Sequence, residues 1–182
     1  MTTIKELTWE HHKNAERQEF VKVLMSGSID PKLYATFLYN QHPCYNILET
    51  VAMSHGLLDD IPEVRRAPQI HADFMELWTD KEKAPVLLES TNRYMMHIKH
   101  IMSDPHKLMA HIYVRHMGDL SGGQMIKKKV PGKGTMYDFN GEIKDIKERI
   151  RAKLDDTMAE EAKLVFEFAT DTFKELMEIE IK

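Results

Sequence analysis

The chain has 182 residues, 42% apolar and 30% charged, enough apolar content to bury a core and too much for general disorder. The formal charge of −4, from 25 Lys and Arg against 29 Asp and Glu, provides no broad cationic field for gripping nucleic acid. The lone cysteine, Cys44, excludes an internal disulfide and a thiolate zinc site, and no apolar run is long enough for a bilayer or a signal core. The expectation is one domain over 1–182, cytoplasmic or soluble in an organelle such as a plastid, with neither nucleic acid nor membrane as partner.

Helical periodicity runs through almost the whole chain. Tyr34, Phe37, Leu38, Tyr45 and Leu48 mark a long helix opened by Asp30 as N-cap and Pro31 at its first position. Pro43 lies inside that pattern, where it should kink the helix or remove a backbone hydrogen bond at a cost of ~3 kcal/mol. Asp104-Pro105 opens a second run, reaching Lys129. Breaks fall at Ser26-Gly27, at Asp59 to Pro62 and at Pro131 to Gly134. Ile143, Ile146, Ile150 and Leu154 share one face of a shorter helix. The face formed by Met158, Ala162, Val165, Phe166, Ala169, Phe173, Leu176 and Met177 predicts a helix to the C-terminus. No stretch alternates with period two. The reading is an all-α chain of about six or seven helices.

Glycines break the logic of the second long helix. Gly118, Gly122 and Gly123 stand inside it, each costing roughly 1 kcal/mol against alanine, and local conflicts of this kind gather at functional sites. Gly118 and Gly122 are four apart and so share a face, which Gly123 widens. A bare face lets something flat approach the backbone and permits a bend; the alternative is a tight helix–helix crossing. Arg115 and Asp119, also four apart, are spaced to pair, and Ser121 and Gln124 add polar groups.

The segment Ala110-His111-Ile-Tyr113-Val-Arg115-His-Met-Gly118-Asp119-Leu-Ser121-Gly122-Gly123-Gln124 resembles the signature of the heme oxygenases, roughly A-H-x-Y-x-R-x-x-G-D-L-S-G-G-Q. Near the N-terminus, Thr8, His12, Ala15 and Glu16 are similar to the family's proximal-histidine pattern. A neutral imidazole is a good iron ligand, and Glu16, one turn on, can orient its other ring nitrogen. His11 projects about 100° away around the helix. Tyr45-Asn-Ile-Leu48-Glu49, Gly134-Thr-Met-Tyr137-Asp-Phe139, and Glu160-Glu161-Ala162-Lys163 with Phe166 extend the resemblance along most of the chain. It departs at Trp9, where many members have lysine, at His116, where tyrosine is usual, and at Pro43. A shortened segment before Leu154 leaves Arg149 and Arg151 as alternatives for one basic position, of which Arg149 is preferred.

The resemblance implies the heme oxygenase all-α fold, with porphyrin between the first helix and a kinked glycine-rich helix. It implies that heme b is substrate and cofactor, ligated by His12 and opened by O2 and reductant to biliverdin, by family default the alpha isomer, with release of Fe2+ and CO. Gly118, Gly122 and Gly123 would leave room beside the iron. Asp119, held by Arg115 and supported by Tyr45, would organise proton-donating waters. Lys5, Tyr113, Ser121, Lys144, Arg149 and Arg151 are the candidates for the propionates and pocket wall. Lys127-Lys128-Lys129 suits an acidic ferredoxin, and the chain end Glu-Ile-Glu-Ile-Lys182, without an apolar tail, fits a soluble, ferredoxin-fed monomer.

Three rival readings lie outside that activity. A heme carrier or sensor of the same fold would need His12 and the glycines but could spare Arg115 and Asp119. A di-iron carboxylate bundle wants Glu-x-x-His pairs, and none is present. His97 and His100 accordingly read as surface or packing residues. A Met-rich helical interaction module leaves the Gly118–Gln124 run unexplained.

Overall fold

Asp30 and Asp104 begin the two long helices as the sequence leads one to expect in the computed structural model, which describes residues 3–179. Asp30 Oδ1 accepts from the amides of Lys32 (2.7 Å) and Leu33 (3.4 Å), and Asp104 Oδ1 accepts from Lys107 at 3.1 Å. Each cap satisfies amides that have no partner within their own helix, worth about 1 kcal/mol.

Among the described residues there are nine α-helices and no strand. They are α1 (Ile4–Leu7), α2 (Trp9–Glu16), α3 (Glu19–Met25), α4 (Pro31–Ser54), α5 (Ala67–Leu77), α6 (Glu89–Ile101), α7 (Pro105–Lys127), α8 (Ile143–Arg151) and α9 (Ala159–Glu178). Short 3-10 turns stand at Pro62–Val64, Thr135–Tyr137 and Asp156–Met158. The count exceeds the six or seven expected because the leading segment divides into three short helices, parted at Thr8 and at Arg17-Gln18.

Pro43 does not end α4, which is assigned as one helix from Pro31 to Ser54. Tyr34 and Leu38 before the proline, and Cys44, Tyr45 and Leu48 after it, are all buried. That apolar burial holds the helix in place where propensity alone disfavours it. The glycine-bearing helix α7 likewise runs through Gly118, Gly122 and Gly123 to Lys127. Residues 180–182, the last of the C-terminal expectation, lie outside the described residues, and Met177 on α9 is exposed rather than part of the apolar face.

Two apolar clusters flank the middle of the molecule. One joins the second half of α4 to α6, the first half of α7 and α8, through Leu48, Tyr94, Ile98, Leu108, Ile112 and Ile146. The other joins α3, the first half of α4, α5 and the end of α9, through Phe20, Leu24, Phe37, Ile70 and Leu176. Helix α9 packs on α2, α3 and α7. No described helix is long and apolar enough to cross a membrane.

Candidate active site

A cavity of about 620 Å³ opens between α2 and α9 on one side and α7 with α4 on the other. That volume lies within the ~300–1,000 Å³ typical of cofactor and small-molecule sites. Ala15, Val165, Phe166, Ala169 and Phe173 make one wall apolar, while Gln41, Tyr45, Arg115 and Asp119 put polar groups on the other.

His12 and Glu16 both line this cavity. Glu16 Oε1 lies 2.6 Å from His12 Nε2, and the imidazole stacks on Phe166 with centroids 5.3 Å apart and planes at 13°. The carboxylate thus takes one ring nitrogen and can fix the tautomer for a ligand on the other. His11 turns out of the cavity, its Nε2 3.4 Å from Glu167, and lines a separate surface cleft with His106 and Lys107.

The glycines of α7 divide into two jobs. Gly118 and Gly122 line the cavity, and a Cβ added to either would meet nothing within 4 Å. The backbone is therefore open to a flat ligand at both positions. Gly123 differs from the bare stripe expected of it. A Cβ there would sit 2.7 Å from the Tyr137 ring, so this glycine admits the buried Tyr137 against α7 instead of widening the cavity. Gln124 secures the same contact by donating to the Tyr137 carbonyl at 2.8 Å.

Asp119 is buried, and the Tyr45 hydroxyl donates to its Oδ2 at 2.8 Å. Burial pushes the carboxyl up to about 6, against the opposing pull of His116, the Tyr45 hydrogen bond, Arg66 and Arg115. Arg115 does not form the Asp119 pair that their spacing suggests. Its guanidinium donates to Gln41 Oε1 at 3.1 Å and sits 4.0 Å over the Tyr94 ring and 5.4 Å from that of Tyr45. The aromatic faces capture the cation, so Tyr45 is the group that holds Asp119 directly. Arg115 Nε is buried without a protein partner beside the cavity, a position suited to an ordered water.

Of the remaining predicted residues, Tyr113 and Ser121 line the cavity. Burial raises the Tyr113 hydroxyl, with the Thr8 side chain and the charge of Arg151 acting against it. Arg149 is engaged elsewhere: it contacts Glu63 at 2.6 Å, Asp145 at 3.1 Å and the Asp60 carbonyl. Arg151 is exposed, and neither it nor Arg149 lines the cavity. Lys5 and Lys144 are exposed and do not line the cavity.

The model of the heme oxygenase family matches residues 1–180. The chain belongs to the heme oxygenase family. It is 31% identical to heme oxygenase of Pyropia yezoensis, covering 98% of this chain and 86% of that protein. It is 29% identical to heme oxygenase 2 of Macaca fascicularis over 95% of its length, but spans only 64% of that longer relative. The solved heme oxygenase of Leptospira interrogans superposes with a TM-score of 0.81 at 30% identity, covering 94% of this chain and 97% of that one. Heme oxygenase-1 of Synechocystis in complex with heme gives 0.83 at 24% identity, over 95% of this chain and 90% of that one, a likeness of fold.

Sequence reasoning missed a set of buried polar groups around this heme oxygenase site. Glu49 of α4 accepts from the amides of Arg66 (2.7 Å) and Ala67 (3.0 Å) and from His116 Nε2 (2.8 Å). Arg66 is itself buried, bound to the Met136, Asp138, Glu63 and Val64 carbonyls and lying 3.9 Å over Phe139. His97 is not a bystander. It and His111 both donate to Glu161 Oε2, at 2.5 and 2.7 Å, while the Tyr94 hydroxyl reaches His111 Nδ1 at 2.7 Å. These groups come from α6, α7 and α9, and no local spacing announces them. The signal was that Glu49, His111 and Glu161 fell within matched motifs.

Proposed function

We propose that this chain opens heme oxidatively to biliverdin, with release of Fe2+ and CO, using O2 and a reductant. The observation that carries the reading is that His12 and the open backbone of Gly118 and Gly122 line one cavity beside a buried carboxyl, Asp119. The residues fit heme b: a neutral-capable imidazole with a carboxylate behind it, apolar walls, and two glycines whose missing side chains leave space for a flat ring. Bound heme supplies the iron that activates O2 and the ring carbon that is attacked.

The chain's own residues supply the rest. His12 holds the iron, with Glu16 orienting the imidazole. Asp119, which burial pushes up to about 6, can hold or release a proton at its carboxyl near neutrality. Tyr45 fixes that carboxyl by its 2.8 Å hydrogen bond, and Arg115 holds Tyr45 from the ring face. Arg115 Nε, buried without a protein partner, and the Asp119 carboxyl would hold ordered waters on the cavity side, from which protons could be passed when heme is bound. Tyr113, which lines the cavity, takes the propionate end, with Arg151 as the exposed guanidinium of α8, close in sequence to the occupied Arg149. Lys5 and Lys144, exposed, serve as outlying cations for the propionates. A monomer, a cytoplasmic or plastid setting and the alpha isomer complete the reading. Lys128 and Lys129, exposed at the end of α7, favour an acidic ferredoxin as donor.

The test is a visible-spectrum titration with hemin, followed by ascorbate in air. A 1:1 histidine-ligated complex that decays as biliverdin grows is the expected result, and His12→Ala should lose the ligated spectrum. A complex that survives reductant and O2 would instead mark a carrier or sensor.

A further inference from the structure

Three helices bring side chains to one carboxylate oxygen away from the cavity. His97 of α6 and His111 of α7 both reach Oε2 of Glu161, on α9, through Nε2, at 2.5 and 2.7 Å. None of the three lines the cavity that holds His12 and Asp119. Two imidazoles converging with one carboxylate form a donor set that proteins use for divalent transition ions.

The geometry is close to what such an ion needs. One ligand atom from each residue lies within 4.8 Å of the others. Ion–donor distances of about 2.0–2.2 Å set neighbouring donors roughly 3.3 Å apart on a tetrahedral ion. The two contacts at Glu161 therefore have to open by roughly 0.6–0.8 Å to admit one. The freedom for that lies with His97, whose side chain is one-fifth exposed, while His111 is fully buried and Glu161 nearly so. Glu161 also lines the surface cleft of about 530 Å³ beside His106 and Lys107, which gives an ion and its waters a way in.

The rings are supported for the task as well. Without an ion each Nε2 carries the proton it donates to Glu161, and a ligand nitrogen has to give that proton up. At His111 the proton can move to Nδ1, because the Tyr94 hydroxyl stands 2.7 Å away and can accept as readily as donate. A partner on the far nitrogen is what orients a metal-bound imidazole. Phe168 packs against both His97 and Tyr94, with centroids 5.5 and 5.3 Å away, and steadies the two rings. Every donor is nitrogen or oxygen, and two of the three are imidazoles, which favours a first-row transition ion over magnesium or calcium.

We propose that His97, His111 and Glu161 bind one divalent transition ion of the zinc or ferrous class, with water from the cleft completing its coordination. The ion ties α6, α7 and α9 together at one point. Tyr94 links that point to Arg115, whose guanidinium lies 4.0 Å over its ring. The inference is independent of the heme chemistry, and its failure leaves heme binding and ring opening standing.

The experiment titrates Co2+ into the heme-free chain, follows its visible ligand-field bands, and then displaces it with Zn2+. One equivalent should bind, and excess Mg2+ should not compete. Binding should persist in His12→Ala, which excludes the heme cavity as its seat. It should weaken by about 100-fold or more in His97→Gln, which keeps a donor for Glu161, and by about 10-fold or more in Tyr94→Phe. Zn2+ at a hundredfold excess over its Kd should raise Tm by about 5 °C or more in the unaltered chain and leave His97→Gln unmoved. The absence of a stoichiometric complex, an unchanged affinity in folded His97→Gln, or loss of binding in His12→Ala would overturn the proposal. Should His97→Gln fail to fold, anomalous scattering at the zinc edge from crystals of the unaltered chain decides. Zinc held by both Nε2 atoms and Glu161 supports the site; zinc at other surface residues, an adventitious ion only, or no zinc at all overturns it.

Discussion

Glu161 of α9, which meets α7 at His111, and Asp119 of α7 are two buried carboxyls at different stations beside that helix, and they have opposite characters. Glu161 is clamped by His97 and His111, and although burial pushes it up, those two donors hold it down at about 2. Asp119 has one direct donor, Tyr45, and a cavity beside it, and burial prevails to leave it at about 6. The packed station of the helix satisfies its charge and stays ionised. The open station leaves a carboxyl under-satisfied, which is what a group that must trade protons requires.

Breaking the packed station should have the largest effect on stability. Glu161→Ala removes the shared acceptor of two histidines and should cost about 2–4 kcal/mol, read as a fall in Tm and in the denaturant midpoint. A loss below about 0.5 kcal/mol would show that the clamp carries no weight.

Neutralising the carboxyl at the open station should have the opposite sign. The folded Asp119 value of about 6 lies above its ordinary 3.8, so at low pH both states hold the proton and no penalty exists. As pH rises from 3.8 through 6, the unfolded chain releases its proton first and folding stability falls. Asp119→Asn keeps an acceptor for Tyr45 without that penalty. It should stabilise the heme-free protein by about 1–3 kcal/mol near pH 7.5, with the gain fading towards pH 4. Denaturant curves at the two pH values check it.

Adjacent glycines carry the contrast into the backbone. Gly123→Ala drives a Cβ into the Tyr137 ring, 2.7 Å away, and should destabilise by about 1–2 kcal/mol. Gly122→Ala meets open space and should stabilise the heme-free helix by up to ~1 kcal/mol, while weakening hemin binding. Thermal melts with and without hemin separate the two.

The parts of this fold written locally were readable without coordinates. Asp30-Pro31 and Asp104-Pro105 act through amides two or three residues on, and His12 and Glu16 share a face by helical spacing alone. What could not be read depends on distant segments. Gly123 looks like Gly122 until Tyr137 is placed against it, and Arg149 looks like Arg151 until Glu63 is placed beside it. The expected Arg115–Asp119 pair lost to contacts from α4 and α6, because the rings of Tyr45 and Tyr94 lie where the guanidinium passes. Spacing on one helix says which groups can meet, and the neighbouring helices decide which do.

The most direct measurement compares the unaltered chain with Asp119→Ala, each loaded with one equivalent of hemin and reduced by ascorbate in air, with biliverdin quantified. The account predicts that the variant binds hemin with the same histidine-ligated spectrum and within a few-fold of the original affinity. Its biliverdin yield should fall by about 10²-fold or more, the scale of a lost proton-organising group. A normal biliverdin yield from Asp119→Ala would contradict it.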